Sequence, residues 1–406
     1  MEKLKLVLIH WWAQLLLLAF LPVYYLIAVM NERTVDYVNN GFFTFWLSGH
    51  LLWMGQNPYS IPDWVGSHHI FGATWIPNNI FPYPLPLAVI TAPLGLLPIK
   101  TAYILWDILA QVFIAVCILW LATHWEGLNQ QLYVIFLLVA TIFNGNIYLG
   151  LMTGTFIVIF LVFLTIALYF METRRPLLAG IALAGLALKP PLLIIVALIG
   201  LWLLFRRSWK VIGGILLGGL GWLVIGLFLD PAWVQKFFGV GESLFNKRLG
   251  NQPSIISYTR LACAGDIDCA FLWYGLIAVT LIGLFAWFVW KKRETLSPLM
   301  VFSAAIALGL LLPPYLWSYD YSLLLIPICY IVFDLIRRRA TYIYSTLFLL
   351  LLDAMSIGGL VLFWMNPANE TLSIQRDMWS IWVELLVLGT TWWMVFRAPK
   401  TELLPE

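Results

Sequence analysis

Charge is what this sequence has least of. Asp, Glu, Lys and Arg make up 11% of its 406 residues, against about 25% in an ordinary soluble domain, and this excludes a water-soluble globule of that length. No glycine-rich phosphate loop is present, and no polar stretch is long enough to form a separate nucleotide-binding half. The five histidines include His50, His68 and His69, which lack a convincing tetrahedral ligand set with their neighbours, so neither a metal nor any other cofactor is expected. A net charge of +3 gives no basic surface for nucleic acid. No small-residue cleavage site follows the first apolar run, which is therefore expected to be a retained helix rather than a signal peptide.

What the chain has instead is hydrocarbon. With 62% hydrophobic residues and a mean hydropathy of +0.90, it reads as an all-α polytopic membrane protein with one integral domain over residues 1–406. At roughly 20 apolar residues per span, it divides into about 12 helices. These fall near 9–30, 82–98, 101–122, 131–149, 153–171, 177–204, 211–229, 271–290, 298–313, 321–336, 341–365 and 378–396.

The few charges set the orientation. Lys3 and Lys5, then Arg206, Arg207 and Lys210, then Lys291, Lys292 and Arg293, then Arg337, Arg338 and Arg339, then Arg397 and Lys400 are expected on the cytoplasmic side, with both termini. One conflict stands out. Arg174 and Arg175 are also basic, yet a single apolar stretch separates them from Arg206 and Arg207. In its middle "LKPP" (188–191) removes two backbone donors, so a broken, partly re-entrant helix fits this stretch better than a simple span.

Three longer segments then face the non-cytoplasmic side, near 31–81, 230–270 and 366–377. In the second, Cys263 and Cys269 are spaced for a small disulfide or for two free thiols, whereas Cys117 and Cys329 fall inside spans as packing residues. In the first, "NGFFTFWLSGHLLWMGQNPYS" (40–60) has the aromatic density of an interfacial helix at headgroup level, ended by Gly55 and followed by an Asn57-Pro58-Tyr59 turn. Prolines then hold 77–86 extended ahead of the next helix.

An acid just past the first span, "GQNPY" (55–59), "FPYPLPLAVITAPLGLLP" (81–98), "RRPLLAGIALAGLALKPPLL" (174–193), "GNQPSIISYTRL" (250–261) and "PPYLWSYDYSLLLIP" (313–327) occur in an order that resembles glycosyltransferase family 87. The resemblance covers nearly the whole chain, and it rests on order and spacing rather than on any single motif. It implies a GT-C-type bundle and transfer of a hexose, mannose foremost, from a polyprenyl-phosphate donor to an acceptor hydroxyl on a lipid or glycan. The reaction would take place at the outer membrane face, among membrane lipids and without nucleic acid. A competing reading is a transporter or flippase for polyprenyl-linked lipid or sugar, since broken helices and intramembrane charges mark those proteins too. A noncatalytic membrane partner is a third.

Such a transfer needs a base for the acceptor and cations for the leaving phosphate. Under the resemblance the base is Asp36, with Glu32 next and Asp63 third. Counted back from "GQNPY", the acid of many family members falls nearer Asn40 or Gly41, so Asp36 stands a few residues early. Its structural alternative is a solvated loop acid or a partner of Arg33. Lys189 and Arg260 are the phosphate candidates, and Lys189, set in an apolar stretch, must face a cavity or a partner. Asp320 in "SYDY" is either a sugar-hydroxyl contact or a helix cap. Asn251, Tyr83 and Tyr59 complete the substrate-binding candidates. Asp107, Asp353 and Glu384 are expected to pair inside the bundle, and Asp334 with Arg337 or Arg338.

Overall fold

The computed structural model describes residues 36–76, 78–122, 144–239, 254–337 and 370–397, with short pieces at 347–349, 351–352 and 354–355. Among the described residues the regular structure is helical throughout, with no strand. The described chain opens with α1 (Gly41–Trp53), α2 (Ile61–Ile70) and α3 (Pro86–Gly95), followed by α4 (Ile99–Ala122). Next come α5 (Gly145–Met152), α6 (Ile157–Glu172), α7 (Pro176–Ala184), α8 (Leu193–Phe205) and α9 (Trp209–Leu229). The last third holds α10 (Ile255–Ala262), α11 (Ile267–Lys292), α12 (Pro298–Leu311), α13 (Leu325–Arg337) and α14 (Glu370–Arg397).

Four stretches among the described residues are long and apolar enough to cross a membrane: α4, α9, α11 and Ser318–Leu335, which includes most of α13. The exposed side chains of α9 include Leu216, Leu217, Leu220, Val224 and Phe228, and those of α11 include Leu272, Trp273, Leu276 and Val279. Apolar surface on this scale is stable facing hydrocarbon and not facing water. The protein is an integral membrane protein. Three of the expected spans, 9–30, most of 131–149 and most of 341–365, lie outside the described residues.

The stretch between the two arginine pairs is not one span. Pro176–Ala184 tightens into a 3-10 turn at Gly185–Leu188, the chain is extended at Lys189 (φ −134°, ψ 91°), and a second 3-10 turn at Pro190–Leu192 leads into α8. Close glycine packing fixes the direction of the two limbs. A Cβ on Gly214 would lie 2.2 Å from the Leu177 carbonyl oxygen, and one turn later a Cβ on Gly218 would lie 2.7 Å from that of Ala184. Helices α7 and α9 therefore run in the same direction, in the small-residue contact that lets membrane helices approach.

Since α9 starts only a tight turn after α8 ends, the chain rises through α7, breaks at Lys189 and returns through α8 to its starting level. The packing of α12 agrees. A Cβ on its Gly309 would lie 2.5 Å from Ile195, near the break, while Trp202, at the other end of α8, donates to the Arg293 carbonyl just before α12 begins (3.4 Å). The conflict between the arginine pairs is thereby resolved, because both lie at one end of the bundle. Lys291, Lys292 and Arg397 join them there, with the Lys292 ammonium on the last carbonyls of α14 (2.6 Å to Phe396).

Other expectations change. The span expected over 82–98 contains a helix only over Pro86–Gly95, because the preceding prolines keep the chain extended and Pro93 interrupts it near the end. In the described part of the span expected over 131–149 a helix begins at Gly145, and the side chain of Asn144 caps it by accepting from the backbone of Asn146 and Ile147 (3.0 and 3.2 Å). The segment expected as an outer loop over 366–377 is helical from Glu370 onward.

The rings of helix α1, expected to face lipid, face protein instead. Phe42, Phe43, Phe45, Trp46 and Leu47 are buried in protein. Gly49 and Gly95 allow this, since a Cβ on either would strike the backbone of the opposite helix, at Thr91 and His50 respectively. The turn after α1 is as expected: Gly55 is left-handed (φ +68°), and the Asn57 side chain accepts from the Tyr59 backbone (2.8 Å). Cys263 and Cys269 are disulfide-bonded and lead into α11, while Cys117 and Cys329 are buried free thiols.

Cysteines placed singly at exposed Thr173 and Lys210 test the paired limbs. Both should react with an impermeant maleimide from the same side of sealed vesicles; labelling from opposite sides would restore a single span.

Candidate active site

Where α7 and α8 meet, two consecutive prolines have no N–H to give, so the chain cannot continue as an α-helix. Lys189 takes the extended position between them and α7. Its own N–H reaches the Leu186 carbonyl (3.1 Å), and its carbonyl accepts from Leu192 (2.9 Å). Its side chain is thereby turned out of the broken helix toward Ser318–Leu324, the 3-10 turn ahead of α13.

There its ammonium donates to Asp320 Oδ1. The other carboxylate oxygen accepts from the Trp317 backbone (3.0 Å), and the ammonium also stands 5.1 Å from the centre of the Tyr319 ring. Lys189 is 6% exposed and Asp320 fully buried. Asp320 thus serves as both a cap and a counterion. The sequence expectation that Lys189 must face a cavity or a partner is met in both respects.

The cavity holds about 480 Å³, within the range of small-molecule sites. Gly41, Thr44 and Phe45 of α1 form one wall, with Trp75, Asn78, Pro82 and Tyr83 from the proline-rich loop beside them. Thr153 and Thr155, the Lys189–Pro191 break with Ile194, Phe237, and the Pro313–Tyr319 segment close the rest. Among the described residues that line it, Lys189 alone carries a charge. An apolar aromatic hollow with one cation suits a ligand that is mostly hydrocarbon or ring with one anionic point.

The other sequence candidates divide. Tyr83 lines the cavity; Tyr59 does not, because its hydroxyl donates to the Tyr83 carbonyl (2.5 Å). Burial, and then the charge of Asp230, raise the Tyr59 phenol above its ordinary range. Arg260 sits half-buried on α10, away from the cavity wall. Asn251 and Glu32 lie outside the described residues.

Asp36 is exposed and wraps its own loop. It accepts from the Asn39 side chain (2.6 Å) and from the backbone of Val38 and Asn39 (3.1 and 3.2 Å). Those bonds, the Asn39 side chain first, hold its carboxyl below the usual carboxylate range against a small opposing effect of burial. Asp36 does not line the cavity but is one residue removed from it, since Asn39 in turn accepts from the backbone of Trp75 (2.9 Å), a wall residue. Asn40 caps α1 through the Phe43 N–H (3.2 Å), and Gly41 is itself in the wall. Asp63 opens α2 and accepts from the Asn57 backbone (3.4 Å).

Within the bundle Asp107 accepts from Gln111 (3.0 Å), and Glu384 is buried against Tyr321. Asp353, Arg338 and the Arg337 side chain lie outside the described residues. Sequence reasoning missed Trp75, Phe237 and Trp317, which are ordinary aromatic residues until the fold gathers them. It also missed Asp230, whose only local signal is a charge at the end of an apolar run.

A sequence model of glycosyltransferase family 87 matches residues 81–314, more than half of the chain. No curated protein and no solved structure matches it. The matched region contains Tyr83, Lys189 and Arg260 and stops short of Asp320.

Removing one member of a buried ion pair strands the other, at a cost of about 3 kcal/mol or more. Asp320→Asn and Lys189→Met should therefore each lower the Tm of the detergent-solubilised protein, and the double variant should recover much of the loss. Additive losses in the double variant would mean that the two side chains are not energetically coupled.

Proposed function

The chain belongs to glycosyltransferase family 87, and from that premise we propose that this integral membrane glycosyltransferase moves a hexose, mannose foremost, from a polyprenyl-phosphate donor to an acceptor hydroxyl. The reading places the reaction at the cavity and the cavity on the non-cytoplasmic side. It takes residues 1–406 as one domain of about 12 spans, with both termini cytoplasmic. The observation that carries it is the one charged side chain, Lys189, among the described residues of an otherwise uncharged wall. A prenyl phosphate has that composition: apolar along its length and anionic at one point.

An ammonium has three N–H donors. Bound to Asp320 by one, Lys189 keeps two for the oxygens of a phosphate, and Asp320 holds it in place meanwhile. In the transfer the acceptor O–H gives its proton to a carboxylate, the oxygen attacks the sugar C1 from the face opposite the phosphate, and the C1–O bond breaks with its electron pair on the phosphate. One displacement inverts C1. The leaving group's new charge falls beside Lys189.

Asp36 is the proposed base, supported by its link through Asn39 to the Trp75 wall. The stacked pair Trp317 and Tyr319 (6.0 Å, 15°) offers a flat apolar face to a sugar ring. The short basic end and the loop-rich opposite end favour an enzyme over a flippase.

Purified full-length protein, incubated in detergent with a panel of polyprenyl-phosphate hexoses, should release polyprenyl phosphate as an acceptor is glycosylated. A flippase would need a closed bilayer and would release none. Asp36→Asn should lower kcat by about 100-fold with donor KM retained. Lys189→Gln should raise donor KM about tenfold, whereas Arg260→Gln, off the cavity, should leave it unchanged. Because the base acts ionised and its hydrogen bonds hold its carboxyl below the usual carboxylate range, kcat/KM should not fall between neutral pH and about pH 5. A half-maximal point near neutrality would assign the base to another group.

A further inference from the structure

Two outer segments that the sequence keeps far apart meet at one carboxylate. Asp230 ends α9 in extended geometry (φ −152°, ψ 107°) and is 6% exposed. Its Oδ1 accepts from the Ala232 backbone (2.9 Å), which turns the chain. Its Oδ2 accepts both from Asn57 Nδ2 (2.7 Å) and from the Lys236 ammonium (2.6 Å). Burial works against the charge, but the bonds from Lys236, Asn57 and Ala232 outweigh it and hold the carboxyl below its ordinary range, so it is ionised at neutral pH.

Each side of this junction leads to a cavity wall. On one side, residues 233–239 fold back as a helical turn. Trp233 fills the notch left by Gly226, where a Cβ would lie 2.5 Å from the indole nitrogen. Lys236 is tied to Asp230, and the next residue, Phe237, lines the cavity. On the other side Asn57 opens the tight turn to Tyr59, whose hydroxyl holds the carbonyl of the wall residue Tyr83. The Pro58 carbonyl accepts from Phe81 (3.0 Å), two residues before it.

The Asn57 amide has one orientation that serves both neighbours: Oδ1 toward the Tyr59 N–H and Nδ2 toward the carboxylate. None of Asp230, Asn57 or Lys236 lines the cavity.

We propose that Asp230 and Asn57 form a strut that sets the separation of the Phe237 and Tyr83 walls, making Asp230 a positioning residue for the ligand between them. Its kinetic consequence rests on the reading of the cavity as the donor site. The strut itself does not. A polar pair at the loop ends does what apolar packing cannot, because a charge-assisted bond is directional and shared between two segments. Among the described residues the turn that supplies the Phe237 wall is otherwise held by apolar packing of Trp233, Val234 and Phe237 on the core.

The two singles and the exchange make the test. Asp230→Asn turns a donor toward the Asn57 amide and Lys236, and Asn57→Asp sets two carboxylates side by side. The double exchange, Asp230→Asn with Asn57→Asp, restores one donor, one acceptor and the local charge. Nitroxide labels at exposed Ile70 and Phe238 report the separation of the two segments in full-length protein without substrate.

In each single variant the distance distribution should broaden, and donor KM should rise about tenfold with kcat within about twofold. The exchange should narrow the distribution and bring KM back to within about threefold of wild type. Wild-type distributions in both singles would overturn the strut. Broadened distributions with unchanged KM would uphold it and refute the placing of the donor in this cavity. If a single variant does not fold, recovery of folded protein by the exchange counts for the pair, and continued failure counts against it.

Discussion

A lysine set into an apolar helix pair has to be neutralised, and the way Lys189 is neutralised organises the rest of this bundle. The two prolines after it break the helix and turn its side chain outward; Asp320, arriving 131 residues later in the chain, provides the anion. Neither residue would be stable in place without the other, since an isolated charge in a low-dielectric interior costs several kcal/mol. The 3-10 turn that presents Asp320 and the Tyr319 ring beside the ammonium both serve that pair.

The remaining walls are held by a different kind of contact. Helix α1 crosses α3 at Gly49 and Gly95, close enough that its rings turn inward and build a wall of the cavity instead of a belt in the lipid. Trp46 and Trp53 each spend the indole N–H on a carbonyl near α3, of Leu97 and Ala92 (3.0 and 2.6 Å). Aromatic bulk is thus combined with satisfied polar edges, as a chain with little water around it requires. The outcome is a mainly apolar chamber with polarity confined to a few fixed points, a division of labour suited to a substrate that is part lipid and part sugar.

Under the proposed function, transfer depends on how an exposed loop acid, a buried cation and an aromatic rim are held relative to one another. Asp36 reaches the rim through Asn39, and Tyr59 supports Tyr83 instead of touching a ligand itself. Tyr59 and Asn39 thus support the site at one remove. Their hydrogen bonds are already made within the protein, which limits the ordering cost that ligand binding would otherwise carry.

Local chemistry was readable in the chain by itself. The apolar runs and the scarcity of charge determined a helical membrane protein; "LKPP" determined a break, because proline lacks an N–H wherever it sits. Gly55 and Asn57 determined the turn after α1, and the spacing of Cys263 and Cys269 allowed their bond. Tertiary structure alone decided what depends on partners distant in sequence. Which anion meets Lys189, that Asn57 meets Asp230 across 173 residues, that the rings of α1 face protein and that Tyr59 is spent on a carbonyl are all of this kind. Hydropathy records how much a segment prefers to leave water, but not which surface receives it. A polar side chain in a chain this apolar must find a partner, and the fold chooses which one.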